Sequence, residues 1–194
     1  MDELKKRAEA FNKMLNIKYH IIVGRKGKLG KINISFEMAH FHHLIGFKYL
    51  TDRPQLKKGR EAVFKQIIDG KLTYANISSS FFFVDIEQRF LDFIHFELFF
   101  DRVELFSKFN QKVNPASKMK AKYILESEIN NSTFYVCIDS EQGSEDYFCR
   151  SFFPKSGMNY TLGHTKHSLL RKEKIDLANK SKIVLFDKIP VMQS

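Results

Sequence analysis

Three of the seven histidines fall within four positions, His40, His42 and His43, in the run Phe36-Glu37-Met38-Ala39-His40-Phe41-His42-His43-Leu44-Ile45-Gly46-Phe47. Histidine is the side chain whose ordinary pKa lies near neutrality, so such a cluster is suited to moving protons. Four readings compete. A hydrolytic metal site needs supporting acids around an open coordination position, and the sequence has neither a His-Glu-x-x-His pattern nor paired carboxylates near the cluster. No metal ligand set and no cofactor are therefore expected. Metal-independent RNA cleavage is the second reading. There the ribose 2′-hydroxyl is the nucleophile, so the protein supplies only a base or acid, a cation for the developing charge, and donors around the phosphate. The third is a non-catalytic nucleic-acid- or protein-binding domain. The fourth is an inhibitor or adaptor of a mobile element.

A second residue that invites chemistry is Arg150. A hairpin turning at Gly143 sets Phe134, Val136 and Ile138 opposite Phe152, Arg150 and Phe148, which leaves Arg150 in the middle of an apolar face. A charge there needs a carboxylate partner or a ligand, because an unpaired buried charge is costly. A one-residue change of register would pass that position to Ser151 and Cys149. The same alignment places Cys137 opposite Cys149, either as buried thiols or as a redox pair. With only these two cysteines, a four-cysteine zinc site and a disulfide framework are both excluded.

The elements that must position these groups read as follows. Residues 2–16 form a helix, with Leu4, Ala8, Phe11 and Leu15 on one stripe. Ile17 to Val23 is a strand, Gly24 to Gly30 a basic turn, and Ile32, Ile34 and Phe36 mark the return strand. The tip, with Arg25, Lys26 and Lys28, is either a plain hairpin end or a phosphate contact. The histidine run makes a short helix with His40 and His43 on one side and Phe41, Leu44 and Ile45 on another. Thr51 to Pro54 is a turn, and Lys58 to Ile68 a further helix. Residues 71–80 carry little signal, and His95 lies within one apolar helix from Ile86 to Arg102. Strands follow at Val103–Phe109, Lys120–Leu125, Thr133–Ile138 and Tyr147–Phe153, with a loop at 113–117 and an antiparallel meander as their arrangement. His164 to Lys174 is a strand or short helix, and Lys182 to Phe186 a last strand.

The composition limits the setting. A chain of 194 residues with 43% apolar content can bury a full core, and with 20 Phe and no Trp that core must be largely phenylalanine. No apolar run approaches the ~18–20 residues of a membrane span, and the charged start lacks the apolar centre of a signal peptide. A cytoplasmic protein with no membrane partner is expected. The net charge of +10 attracts polyanions, above all nucleic acid. The charge is spread through the chain, at Lys57, Lys58, Arg60, Lys118, Arg171, Lys172 and Lys174 among others. Arg25, Lys26, Lys28, Lys120 and Lys122 are the candidates for nucleic-acid contact.

The run Phe41-His42-His43-Leu44-Ile45-Gly46-Phe47, after a two-strand opening, resembles the His-Leu-x-Gly motif of a phage-associated nuclease family of the barnase–EndoU–colicin–RelE-like group. Asp69-Gly70-Lys71, Ala121-Lys122-Tyr123-Ile124-Leu125 and Leu170-Arg171-Lys172-Glu173-Lys174-Ile175 add to the likeness, which spans about residue 15 to about residue 176. The resemblance implies one α+β nuclease domain over residues 1–194, with an N-terminal helix and hairpin and central helices packed on a small antiparallel sheet. It implies a ribonuclease activity in a phage, toxin or mobile-element setting. RNA is then the substrate, and a cognate antitoxin, immunity or host protein a possible partner. Carried onto this chain, the motif histidine is His43, as acid/base. Arg150 or Ser151 would hold the phosphate, with Tyr160 a further candidate. His42 has no counterpart in the motif.

Overall fold

The fold was described from a computed structural model that covers residues 1–113, 115 and 119–189. Most of the expected 113–117 loop, and the expected cation Lys118, lie outside the described residues. The chain opens with α1 (Glu3–Met14), capped by the Asp2 carboxylate, which accepts from the backbone N–H groups of Leu4 and Lys5. It buries Leu4, Ala8, Phe11 and Met14 at helical spacing. Arg7 is buried too, donating to the carbonyl of Phe90 at 2.6 Å and lying over its ring.

β1 (Ile17–Arg25) and β2 (Lys28–Ile34) form the first hairpin, and its turn is tighter than the glycines suggest. Lys26 and Gly27 both take positive φ, as a two-residue hairpin turn requires. Next come α2 (Met38–Leu44) and α3 (Arg60–Ile68), with α4 (Tyr74–Ser78) in the stretch that carried little signal. The expected helix from Ile86 to Arg102 is broken into α5 (Glu87–Asp92), a 3-10 turn at Phe93–His95, and α6 (Phe96–Arg102). The break changes the buried stripe. Phe90, Phe93, Phe96, Phe99 and Phe100 go inward while Leu91 is exposed, because the tighter turn advances each side chain further round the axis. His95 is half-buried on this turn.

The remaining strands are β3 (Leu105–Lys108), β4 (Tyr123–Ile129), β5 (Ser132–Asp139), β6 (Asp146–Pro154), β7 (Thr165–Asp176) and β8 (Lys182–Asp187). β3 to β6 form the expected antiparallel meander. The expected small antiparallel sheet with helices on one face is not what forms. Among the described residues eight strands make one sheet in the order β1-β2-β6-β5-β4-β3-β7-β8, and β1 also pairs with β7, so seven strands close into a mixed barrel. Two non-local pairings cause this. β1 runs antiparallel to β7 from Ile17 opposite Asp176 to Gly24 opposite Ser168. β2 runs parallel to β6 over only Asn33–Asp146 and Ile34–Tyr147. β8 lies outside the ring because it shares one edge of β7 with β3.

One face of the barrel strands, with Ile21, Ile32, Leu125, Val136 and Phe152, merges with the helix phenylalanines into a single core. The rings meet mostly edge-on or tilted, as between Phe152 and Phe96 at 5.4 Å, which suits the quadrupoles of aromatic pairs. Ile124, Tyr135 and Cys137 make a smaller cluster with Met119, Phe153 and Tyr160.

The β5–β6 register corrects the reading of the hairpin. Val136 faces Phe152, and Cys137 faces Ser151, but Ile138 faces Cys149, with a bulge between. Arg150 is the extra residue, turned outward and exposed rather than centred on an apolar face. The two cysteines consequently do not face each other, and both are free and buried.

Candidate functional site

The short β2–β6 seam locates the site. β2 stops at Ile34, the chain leaves the sheet, and α2 then packs against β6 just beyond the last shared pair. Phe41 and Leu44 anchor α2 in the core, so its other side, carrying His40 and His43, is left against β6. Gly46 ends the helix with φ +95, and a Cβ there would lie 2.8 Å from Ile86 Cγ2. Only glycine permits both this backbone and this approach.

Between α2 and β6 lies a cleft of about 460 Å³. His40, His43, Lys48, Arg60, Lys120, Arg150 and Ser151 line it, together with Glu37, Met119 and Phe148. Four of these side chains are cationic and Glu37 alone is acidic, so the cleft attracts anions.

The three clustered histidines have different surroundings. His40 Nδ1 accepts the Glu37 N–H at 3.1 Å, which places the ring proton on Nε2, and the ring stacks on Phe148 at 6.1 Å. His42 points away. Its Nε2–H donates to the Leu56 carbonyl at 3.0 Å, and its ring stands edge-on to Phe47. It holds α2 to the following segment. His43 has no hydrogen-bond partner among the described residues and faces the cleft. Burial first, then the positive charges of Arg60, His42, Lys48 and His40, push its pKa down to about 4. It is therefore neutral at pH 7, with a lone pair to accept a proton.

Arg150 Nε donates to Asp139 Oδ2 at 2.7 Å, and its guanidinium lies 5.0 Å from the Phe148 ring centre. Asp139 holds the Nε edge of the guanidinium, and the Arg150 side chain stays exposed and lines the cleft. Ser151 follows directly, half-buried on the same strand.

Of the residues expected from sequence, the structure thus brings His43, Arg150, Ser151 and Lys120 to one cleft. Tyr160 lies further along, in an adjoining cleft that also includes Ser151. Lys122 points elsewhere, its Nζ donating to Ser140 Oγ at 2.7 Å and the Glu141 carbonyl at 2.6 Å. Arg25, Lys26 and Lys28 are exposed at the tip of the first hairpin and do not line the cleft. Sequence reasoning left out Lys48 as a site residue and used Arg60 only as general charge. Both are surface cations next to helix ends, and nothing in their local spacing distinguishes them from solvated lysines and arginines. Among the described residues no three His, Cys, Asp or Glu side chains are grouped to hold a metal ion, and no helix is long and apolar enough to cross a membrane.

His43, with no hydrogen-bond partner among the described residues, thus shares one cationic cleft at the barrel seam with Arg150 and Ser151. The chain matches the phage-Barnase-EndoU-ColicinE5/D-RelE like nuclease4 family over residues 3–188, nearly its whole length, and belongs to that family of phage-associated nucleases. It matches no curated protein and no solved structure.

Proposed function

We propose that the protein is a metal-independent endoribonuclease of phage, toxin or mobile-element type. The 2′-hydroxyl of RNA attacks the adjacent phosphorus, and His43 takes its proton. The P–O5′ bond breaks, the leaving 5′-oxygen is protonated from solvent, and the products are a 2′,3′-cyclic phosphate and a 5′-hydroxyl. Arg150 and Ser151 hold the phosphate, and Arg60 and Lys120 offset its developing charge. The observation that carries this reading is the meeting of His43, from the early helix, with Arg150 and Ser151, from a distant strand, in one cationic cleft.

The depressed pKa of His43 leaves the ring unprotonated at neutral pH, as a base must be and an acid must not. Burial and the nearby cations hold this pKa down, and the negative charge of a bound phosphodiester would raise it toward the working pH. A second reading is a protein that binds RNA without cutting it, for which the cationic cleft and the net charge of +10 suffice. A cognate antitoxin, immunity or host protein would restrain the active form.

Incubation of the purified protein with total RNA, with and without chelator, separates these readings. Cleavage that survives chelation and leaves 2′,3′-cyclic ends is expected. Cleavage abolished by chelation would overturn the mechanism. Salt-sensitive retention of intact RNA would establish the binder instead.

A further inference from the structure

The cleft that holds His43 is not isolated. Lys48, Met119 and Ser151 also line a second cleft of about 520 Å³, which runs past Ser151 to Tyr160 and has Tyr49 and Arg89 on its helical side. The cleavage chemistry gives this second cleft no task. Tyr49 is 41% exposed, with Lys48 Nζ 4.9 Å and Arg89 Cζ 5.3 Å from its ring centre. Arg89 is largely enclosed, and its Nε is buried with no hydrogen-bond partner among the described residues. An accessible aromatic ring beside two cations is the composition that single-strand binding sites use. The ring takes a base face, and the cations take the backbone.

We propose that the groove beyond Ser151 is a second nucleotide subsite, in which Tyr49 stacks a base and Arg89 with Lys48 binds the phosphate next to the scissile one. It rests on the ribonuclease reading for the position of the scissile phosphate, at the junction of the two clefts. Because a base stacked within a duplex has no free face to offer Tyr49, the subsite selects single-stranded RNA longer than a dinucleotide.

The test is fluorescence anisotropy with 2′-O-methyl RNA, which lacks the attacking hydroxyl and is not cut. A labelled dinucleotide is compared with a tetranucleotide. The protein is expected to bind the tetranucleotide more tightly. Tyr49→Ala should reduce that advantage roughly tenfold, the scale of one base–aromatic stack. Tyr49→Phe should retain it, which separates loss of the ring from loss of the fold. An unchanged advantage in Tyr49→Ala, or equal weakening of both oligonucleotides, overturns the subsite. Failure of the protein to cleave unmodified tetranucleotide would overturn the ribonuclease reading alone, since the anisotropy comparison does not depend on cleavage.

Discussion

At the scale of single residues, the proposed cleavage requires His43 to be neutral in the free protein. Its folded pKa, near 4, lies below the ordinary histidine value of about 6.5. Between those two values the unfolded chain binds the proton more readily, so stability falls as pH drops from about 6.5 to about 4 and is fully regained above that window. Replacing His43 with Gln should flatten part of this dependence, measured as denaturant midpoints across the window; an unchanged slope would show that His43 is not held neutral. His40, His42, His164 and His167, also lowered chiefly by burial, add to the same dependence. Arg150 is a phosphate contact in this account, so Arg150→Gln should weaken RNA binding and lower the salt slope by about one counterion. Titration at several salt concentrations checks it, and a slope equal to that of the unaltered protein would remove Arg150 from the site.

At the scale of elements, α2 is the part of the site that was legible in the sequence. Phe41 and Leu44 recur at helical spacing and are buried, which puts His40 and His43 on the side away from the core. Gly46, which ends this helix, approaches Ile86 closely. Gly46→Ala should therefore cost roughly 2 kcal/mol or more, from an unfavourable backbone and a steric clash together, visible as a lowered denaturant midpoint. Wild-type stability in that variant would contradict the described turn. The surroundings of Arg150 were not legible, because a bulge has no local sequence signal here. The alternation through Phe148, Arg150 and Phe152 reads as one face, and only the extra residue between Cys149 and Ser151 turns Arg150 outward. The single long helix expected from Ile86 failed for a related reason, since Phe90, Phe93, Phe96, Phe99 and Phe100, with Leu91, Ile94 and Leu98 among them, spread apolar residues round the axis and leave the period undetermined.

At the scale of the whole molecule, the strands were largely legible and their closure was not. The meander follows from local turns, whereas β1 with β7 and β2 with β6 join segments far apart in sequence. Such pairings are decided by tertiary packing. Buried Lys172 on β7 belongs to this closure, its Nζ donating to the carbonyls of Asp101 and Val103 at 2.8 Å each, where α6 ends. Next to it, Lys174 meets Glu97 and Asp101, and Tyr19 on β1 donates to Asp101 at 2.6 Å. Lys172→Met should cost roughly 1–3 kcal/mol by leaving those carbonyls unsatisfied, although it also removes a buried charge. Thermal unfolding of the variant checks this, and an unchanged midpoint would show that the contact contributes nothing to closure. The barrel matters to function because its short β2–β6 seam is where α2 and β6 come together around the cleft.

The central claim is that this cleft cuts RNA with His43 as its proton acceptor. The most direct measurement compares wild-type and His43→Ala proteins on a defined single-stranded RNA in the presence of chelator, following 2′,3′-cyclic phosphate formation, with circular dichroism to establish that both are folded. The account predicts cyclic product from the wild type and a loss of at least about a hundredfold in rate for the variant. A folded His43→Ala protein that cleaves at the wild-type rate would contradict it.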